Sequence, residues 1–408
     1  MQILLVTTNY WPEPTGIAVY TTDLAESLSA AGYQITVLTS LPHYPWWKIP
    51  SKFSHLAEGK SMHRKVSVIR ARHFVPPKMN IFLRIRFETS LWRNLLRVSK
   101  DLQGNDFDLI IACIPTLAAG IVGRRFAQKF GIPFGLIVQD LSGSSAEQSG
   151  IRFGKNISKF VRFVEGKVIN GTNGIVVIST AMRAVVEGLK VPQKRITQII
   201  NYSTREIINF PKEYARAIIG WPLDNFIVIH SGNIGLKQDL ENVVRAADSL
   251  TLHTKIKFFL VGHGNQESRL KEICKDKQNI VILPTVSDKD YSTLLSAADL
   301  LLVNERVTQM EMSLPSKLTS YLYSERPVIA AVPRGGATWK FLDGIAELVE
   351  AGKPSLLADA IKELSQDQVK REYLASKGLE FARKNLDAEI GRRKYLDWVN
   401  SLIQSKRG

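Results

Sequence analysis

The chain has 408 residues with 45% hydrophobic content, more than one hydrophobic core ordinarily organises, so two domains are expected. Its formal charge of +16 calls for an anionic partner, yet no zinc-finger, RNP or helix-turn-helix signature accompanies that charge, which argues against nucleic acid. No apolar run reaches the roughly 18 residues of a membrane span, because the longest, 109–122, is interrupted by Pro115.

In chain order, "MQILLVTTNY" lacks a basic n-region and a small-residue cleavage site, so it reads as a first strand and the protein as cytoplasmic. Strands are expected at Ile3 to Thr8, Gln34 to Thr39, Val66 to Arg70, Leu109 to Cys113, Phe134 to Val138 and Gly174 to Ile178. Helices such as Thr21 to Ala31 and Ala118 to Phe130 alternate with them, which implies right-handed βαβ units and a parallel sheet. Cys113 and Cys274 have no Cys or His at metal spacing and read as packing residues in a reducing compartment.

Between Lys60 and Lys100 stand eleven Lys or Arg against Glu88 alone. Within that region "KMNIFLRIRFETSLWRNLLRVSK" places Ile81, Ile85, Leu91, Trp92, Leu95 and Leu96 among arginines at helical spacing, and "HYPWWKIP" offers Trp46 and Trp47 beside Lys48. This is the pattern of an interfacial helix docked on an anionic membrane surface; a core helix with a solvated basic face is the competing reading.

After a proline-marked stretch around Pro211 and Pro222 the alternation restarts near Asp224, with strands at Phe226 to His230, Lys257 to Val261, Asn279 to Leu283, Leu300 to Val303 and Pro327 to Val332. From Pro354 the chain reads as helix to its end, with Trp398 and Leu402 available to pack a last helix. The expected organisation is α/β, two Rossmann-like domains facing across a cleft: an acceptor domain over 1–205, a donor domain over 206–385 and a closing helix over 386–408.

Ligands in open parallel sheets bind beyond the C-terminal ends of the strands. There the first domain has "NYWPEPTGIAVYTTDLAESL" with Gly16. The second has "HSGNIGLKQDLENVV" with Gly232, Asn233, Gly235 and Lys237, "LVGHGNQESRLKEI" with Gly262 and Gly264, and "SLPSKLTSYLYSERPV" with Ser316 and Lys317 opening a helix. Each glycine turn alone is a tight βα connection. Recurring at one sheet edge beside two lysines, they point to a diphosphate-bearing donor.

These segments, with "NIVILPTVSDKDYSTLLSAADLLLV", resemble the donor domain of family 4 GT-B glycosyltransferases. They are similar to the branch that adds fucose-type or N-acetylaminosugar units to lipid-linked polysaccharide precursors, such as those of colanic acid and O-antigen. "TTNYWPEPTGIAVYTTDLAESLSAAGYQITVLTS" resembles that branch's opening, and "VQDLSGSSAEQSG" matches its "DL-P-x-x-A" segment in part, without the proline. The resemblance implies a hexosyl or 6-deoxyhexosyl transferase, retaining and metal-independent, with no cofactor. Its partners would be a UDP- or GDP-linked sugar donor, a lipid-linked acceptor and the inner-membrane surface. Implied catalytic residues are Lys237, Lys317 and Asp140; implied donor contacts are Gly16, Gly232, Asn233, Gly262, Pro284, Ser316 and Ser320.

The chain departs from the family pattern in two places. Asn233 stands where many members carry an arginine, and the usual pair of glutamates is replaced by Met312 and Ser320, with Glu305 and Glu311 off register. A nucleotide-sugar epimerase and a noncatalytic binding or scaffold subunit therefore stay open beside a transferase.

Overall fold

The computed structural model describes residues 1–53, 55–77, 80–141, 155–308 and 314–404, with the backbone alone for Asn105 and 155–158. Lys78, Glu311, Met312 and the 142–150 portion of "VQDLSGSSAEQSG" lie outside the described residues. The chain forms two units, Met1–Thr204 with Ala388–Gly408, and Arg205–Asp387.

The first unit is built on β1 (Gln2–Val6), β2 (Gln34–Ser40), β3 (Gly59–His63), β4 (Val66–Ala71), β5 (Leu109–Ile114), β6 (Phe134–Val138), β7 (Gly174–Val177) and β8 (Ile196–Gln198). Their order is β3-β4-β2-β1-β5-β6-β7-β8. All pairings are parallel except β3 with β4, and Leu5 lies opposite Val37 on one side and Ile111 on the other. The central strands are buried on both faces, which is why they read as unbroken Val, Ile and Leu runs. By contrast β3 is "GKSMH", largely exposed at the edge, and its sequence carries no strand signal.

The second unit contains β9 (Phe226–Ser231), β10 (Ile256–Val261), β11 (Ile280–Leu283), β12 (Leu300–Asn304), β13 (Val328–Val332) and β14 (Glu347–Glu350), ordered β11-β10-β9-β12-β13-β14 and wholly parallel. Val228 of the central β9 lies between Phe258 of β10 and Leu300 of β12. This unit starts before Asp224 because helix Lys212–Ile219 is tied into it. Arg216, 1% exposed, pairs with Asp299 and donates to the Ala297 carbonyl, while Lys212 Nζ reaches Asp299 Oδ1 at 2.7 Å.

The closing helix Ala388–Gln404 does not stand apart as the sequence suggested; it clusters with the first unit. Trp398, Val399, Leu402 and Ile403 join the core beside β6 and β7. Gly135 and Gly174 make room for them, since a Cβ would fall 2.7 Å from Trp398 at Gly135 and 2.9 Å from Leu402 at Gly174. Packing of this kind is what a glycine inside a strand commonly marks.

The basic helix Ile81–Val98 has a core stripe. Phe87, Leu91 and Leu95 form a stripe that is core, with Leu91 and Leu95 fully buried, while Ile81, Trp92 and Leu96 of the face expected to meet lipid are half-buried. Only Phe82 and Ile85, near the helix start, are exposed large apolar side chains on it. Trp46 and Trp47 are half-buried in ring contacts with Phe53 and Phe87, and Arg70 is buried with its guanidinium on the Ser61 hydroxyl and the Trp11 carbonyl. Among the described residues, no helix is long and apolar enough to cross a membrane.

Candidate functional site

In the second unit the β9 and β10 turns are interlocked by backbone. Gly232 N donates to Val261 O at 2.8 Å, Ile234 N to His263 O at 2.8 Å, and Gln266 N to Ile234 O at 3.0 Å. The contact is possible only without side chains: at Gly262, with φ of +154°, a Cβ would lie 1.7 Å from the Gly232 carbonyl oxygen, and at Gly264 2.1 Å from that of Ile234. Gly232 has φ of +124°, which L side chains rarely adopt. Two backbone loops are thus stacked at the C-terminal edge of the sheet.

Lys317 opens the short helix Lys317–Tyr323 and reaches this edge. Its Cε and Nζ both stand 3.3 Å from where a Gly232 side chain would begin. Its ammonium lies 3.1 Å from His230 Nε2 and 3.4 Å from Nδ1. His230 is completely buried, and that burial, followed by the Lys317 charge, holds its pKa well below the usual imidazole value. The ring is therefore neutral beside a cation. Residues far apart in sequence meet here, and the meeting places positive charge over the glycine turn.

Below the turn, Tyr321 Oη accepts from Ser231 N at 2.7 Å and lies 3.1 Å from Ser231 Oγ, which also contacts Tyr291 Oη at 3.1 Å. Ser320 is buried on the helix that carries Tyr321. Ser320, expected as a donor contact, lies on the buried face of its helix. Ser316 is exposed, and its side chain makes no capping bond to the helix.

Lys237 sits half-buried on the turn after β9, whose backbone is pinned from below. Asn304 Nδ2 donates to Gln238 O at 2.8 Å and Asp239 O at 3.0 Å, Asn242 supports Asn304 at 2.9 Å, and Arg306 N donates to Lys237 O at 2.8 Å. Asn233 is exposed on the same turn. Pro284 is exposed after β11, two strands away from β9. Glu305, set aside as off register, is buried after β12 and accepts from Thr338 Oγ1 at 2.7 Å.

Gly16 and Asp140 lie in the first unit. Gly16, with φ of +67°, precedes helix Ile17–Ala30, and a Cβ there would meet Tyr44 Cε1 at 3.1 Å. Asp140 follows β6, half-buried, with Oδ1 accepting from Leu141 N at 2.8 Å. A group the sequence reading missed sits near Gly16. Glu13 Oε1 accepts from His43 N at 2.7 Å and Tyr44 N at 2.8 Å, and Oε2 accepts from Asn9 Nδ2 at 2.7 Å. Burial raises the Glu13 pKa to about 7 and lowers that of His43 to about 4, so both are driven toward neutrality despite their 3.3 Å contact. The "PEP" and "PHYP" segments gave no reason to join them.

Residues 15–201 match the glycosyl transferase 4-like domain, and residues 211–381 match the glycosyl transferases group 1 family. The colanic acid biosynthesis glycosyl transferase WcaI of Escherichia coli (strain K12) is 27% identical over 97% of this chain and 99% of its own. The glycosyltransferase WbjE of Pseudomonas aeruginosa is 23% identical over 70% and 71%. In fold, the chain is similar to sucrose-phosphate synthase from Thermosynechococcus elongatus, with TM-score 0.78 and 16% identity over 99% of this chain and 100% of that one. It is also similar to HepE of Anabaena in complex with UDP, with TM-score 0.70 and 16% identity over 98% and 100%. Two Rossmann-like domains, each matching one half of the same enzyme architecture, identify the chain as a GT-B glycosyltransferase of the group 1 family.

Proposed function

We propose that the protein transfers a sugar from a nucleoside-diphosphate donor to a lipid-linked polysaccharide precursor, with retention and without a metal. The observation that carries this reading is the Lys317 ammonium standing over the Gly232 turn. A departing nucleoside diphosphate gathers negative charge as the glycosidic bond breaks, and a cation already in place stabilises that charge more in the transition state than in the ground state. Lys317 supplies it at one turn and Lys237 follows on the same loop. Together they stand in for a divalent ion, and Asn233 leaves its position in the turn without charge. Gly232 lets the donor phosphates approach backbone closely, and Gly262 lets the neighbouring loop stack against that turn.

Support for the donor class comes also from HepE structures named for UDP and UDP-glucose, and for the acceptor from an E. coli relative named for colanic acid biosynthesis. Retention rests on the family resemblance. On the acceptor side, Gly16 and Asp140 are the first unit's contributions. Exposed Phe82, Ile85 and Arg86 at the start of helix Ile81–Val98 form a smaller membrane-docking patch than the sequence suggested, sited at the inner membrane.

Consumption of UDP- and GDP-sugars, measured with and without a polyprenyl-diphosphate-linked sugar and with EDTA, tests the whole reading. Turnover that requires the acceptor and survives EDTA is expected. Epimerised nucleotide sugar without acceptor would replace transfer by epimerisation, and no turnover with any pair would favour a binding subunit.

A further inference from the structure

We propose that His230 is the positioning residue for Lys317: a buried imidazole whose face carries the lysine ammonium and holds it above the Gly232 turn. The inference rests on the reading of Lys317 as the donor-diphosphate cation and adds the residue that aims it.

The two ring nitrogens flank a single carbon. Lys317 Nζ is 3.1 Å from one and 3.4 Å from the other, and an atom so placed in the ring plane would collide with that carbon. The ammonium therefore stands over the ring, as a cation stands over an aromatic face. A lysine left in solvent samples many rotamers, and fixing it costs side-chain entropy that a contact must offset. The contact also needs an uncharged ring, since an imidazolium would repel the ammonium. Complete burial of His230, among the strands of the central sheet, meets that need.

The placement explains an oddity of the strand. β9 reads "FIVIHS", where a histidine interrupts an apolar run at its most buried end. Two residues later comes Gly232, whose missing side chain leaves the space that Lys317 Cε and Nζ border at 3.3 Å. The turn next presents Asn233, so positive charge over Gly232 arrives from Lys317, and the His230 ring is a contact that sets where it stops.

UDP and GDP binding by calorimetry on the full-length protein tests this. His230→Leu, which keeps bulk but removes the ring, is expected to weaken whichever nucleotide the parent binds by about tenfold, the scale of a desolvated cation–ring contact. His230→Phe, which restores a ring face, is expected to recover most of that loss. In Lys317→Ala, adding His230→Leu should cost nothing further. Should the buried variants fold poorly, 15N resonances of His230 serve instead: Lys317→Ala should raise its titration midpoint, because a cation has left its face. Wild-type affinity in His230→Leu, or unmoved imidazole resonances in Lys317→Ala, would overturn the inference. Undiminished affinity in Lys317→Ala itself would overturn the reading beneath it, so the two failures are distinct.

Discussion

At the C-terminal edge of the first sheet, charged groups are folded inward. Glu13, 4% exposed, spends one carboxylate oxygen on two backbone N–H groups of the 43–44 loop and the other on Asn9. At the same edge of the second sheet the backbone is bare glycine and the charge is a lysine brought over it. An acid whose hydrogen bonds are spent within the fold holds loops, whereas a lysine over glycine turns suits the anion proposed above. One edge uses its charge to hold loops together; the other brings a charge over backbone turns.

The largest effect should come from closing the second edge. Gly262→Ala places a Cβ into the Gly232 carbonyl, a clash that cannot relax without separating the loops, so a loss of about 3 kcal/mol or more is expected. Thermal melts combined with UDP titration check it, and a variant that melts and binds like the parent would break the contrast.

At the first edge the corresponding effect is pH-dependent. Glu13, raised to about 7 from 4.5, keeps a proton in the folded state that the unfolded chain has released, so its contribution makes stability fall as pH rises between those values. Glu13→Gln should remove a slope worth on the order of 2 kcal/mol over that range. His43 and His73, lowered to about 4 and about 3, act oppositely: the unfolded chain takes up protons below 6.5 that the folded chain refuses, so stability falls as pH drops. Denaturant midpoints from pH 4.5 to 7.5 for parent, Glu13→Gln and His43→Gln distinguish the two slopes, and parallel curves for all three would remove Glu13 and His43 as titrating supports.

A smaller effect is expected from Gly16→Ala, where positive φ and a 3.1 Å approach to Tyr44 together cost about 1 kcal/mol. Smallest for stability is the quadruple change of Arg84, Arg86, Arg93 and Arg97 to Gln. Arg84 pairs with Glu88 and Arg97 with Glu58 near the surface, pairs worth little in water. Sedimentation with anionic liposomes at low salt should nevertheless fall in that variant, and equal pelleting would remove the docking patch.

Much of the architecture was legible because buried parallel strands must be apolar on both faces, so β1, β5, β9 and β13 announce themselves. Edge strands such as β3 and β8 were not, since a half-exposed strand needs no such run. In the second unit the glycines marked the interlocked turns, but not that Lys317 and His230 would meet over one of them, because contact between distant residues leaves no local pattern. Helical spacing placed Leu91 and Leu95 on one face without saying that the face is core, since periodicity reports a stripe and not what covers it. For Ser320, register against a family pattern gave its position and not its burial, which the packing of its helix sets.

Calorimetric titration of UDP and GDP into the parent and Lys317→Ala addresses the central claim most directly. Removing one charge-assisted contact in a secluded site should weaken binding of whichever nucleotide the parent takes by about 2 to 3 kcal/mol, with the fold intact by circular dichroism. Equal affinity in a folded Lys317→Ala would contradict the assignment of the second edge as the donor-phosphate site.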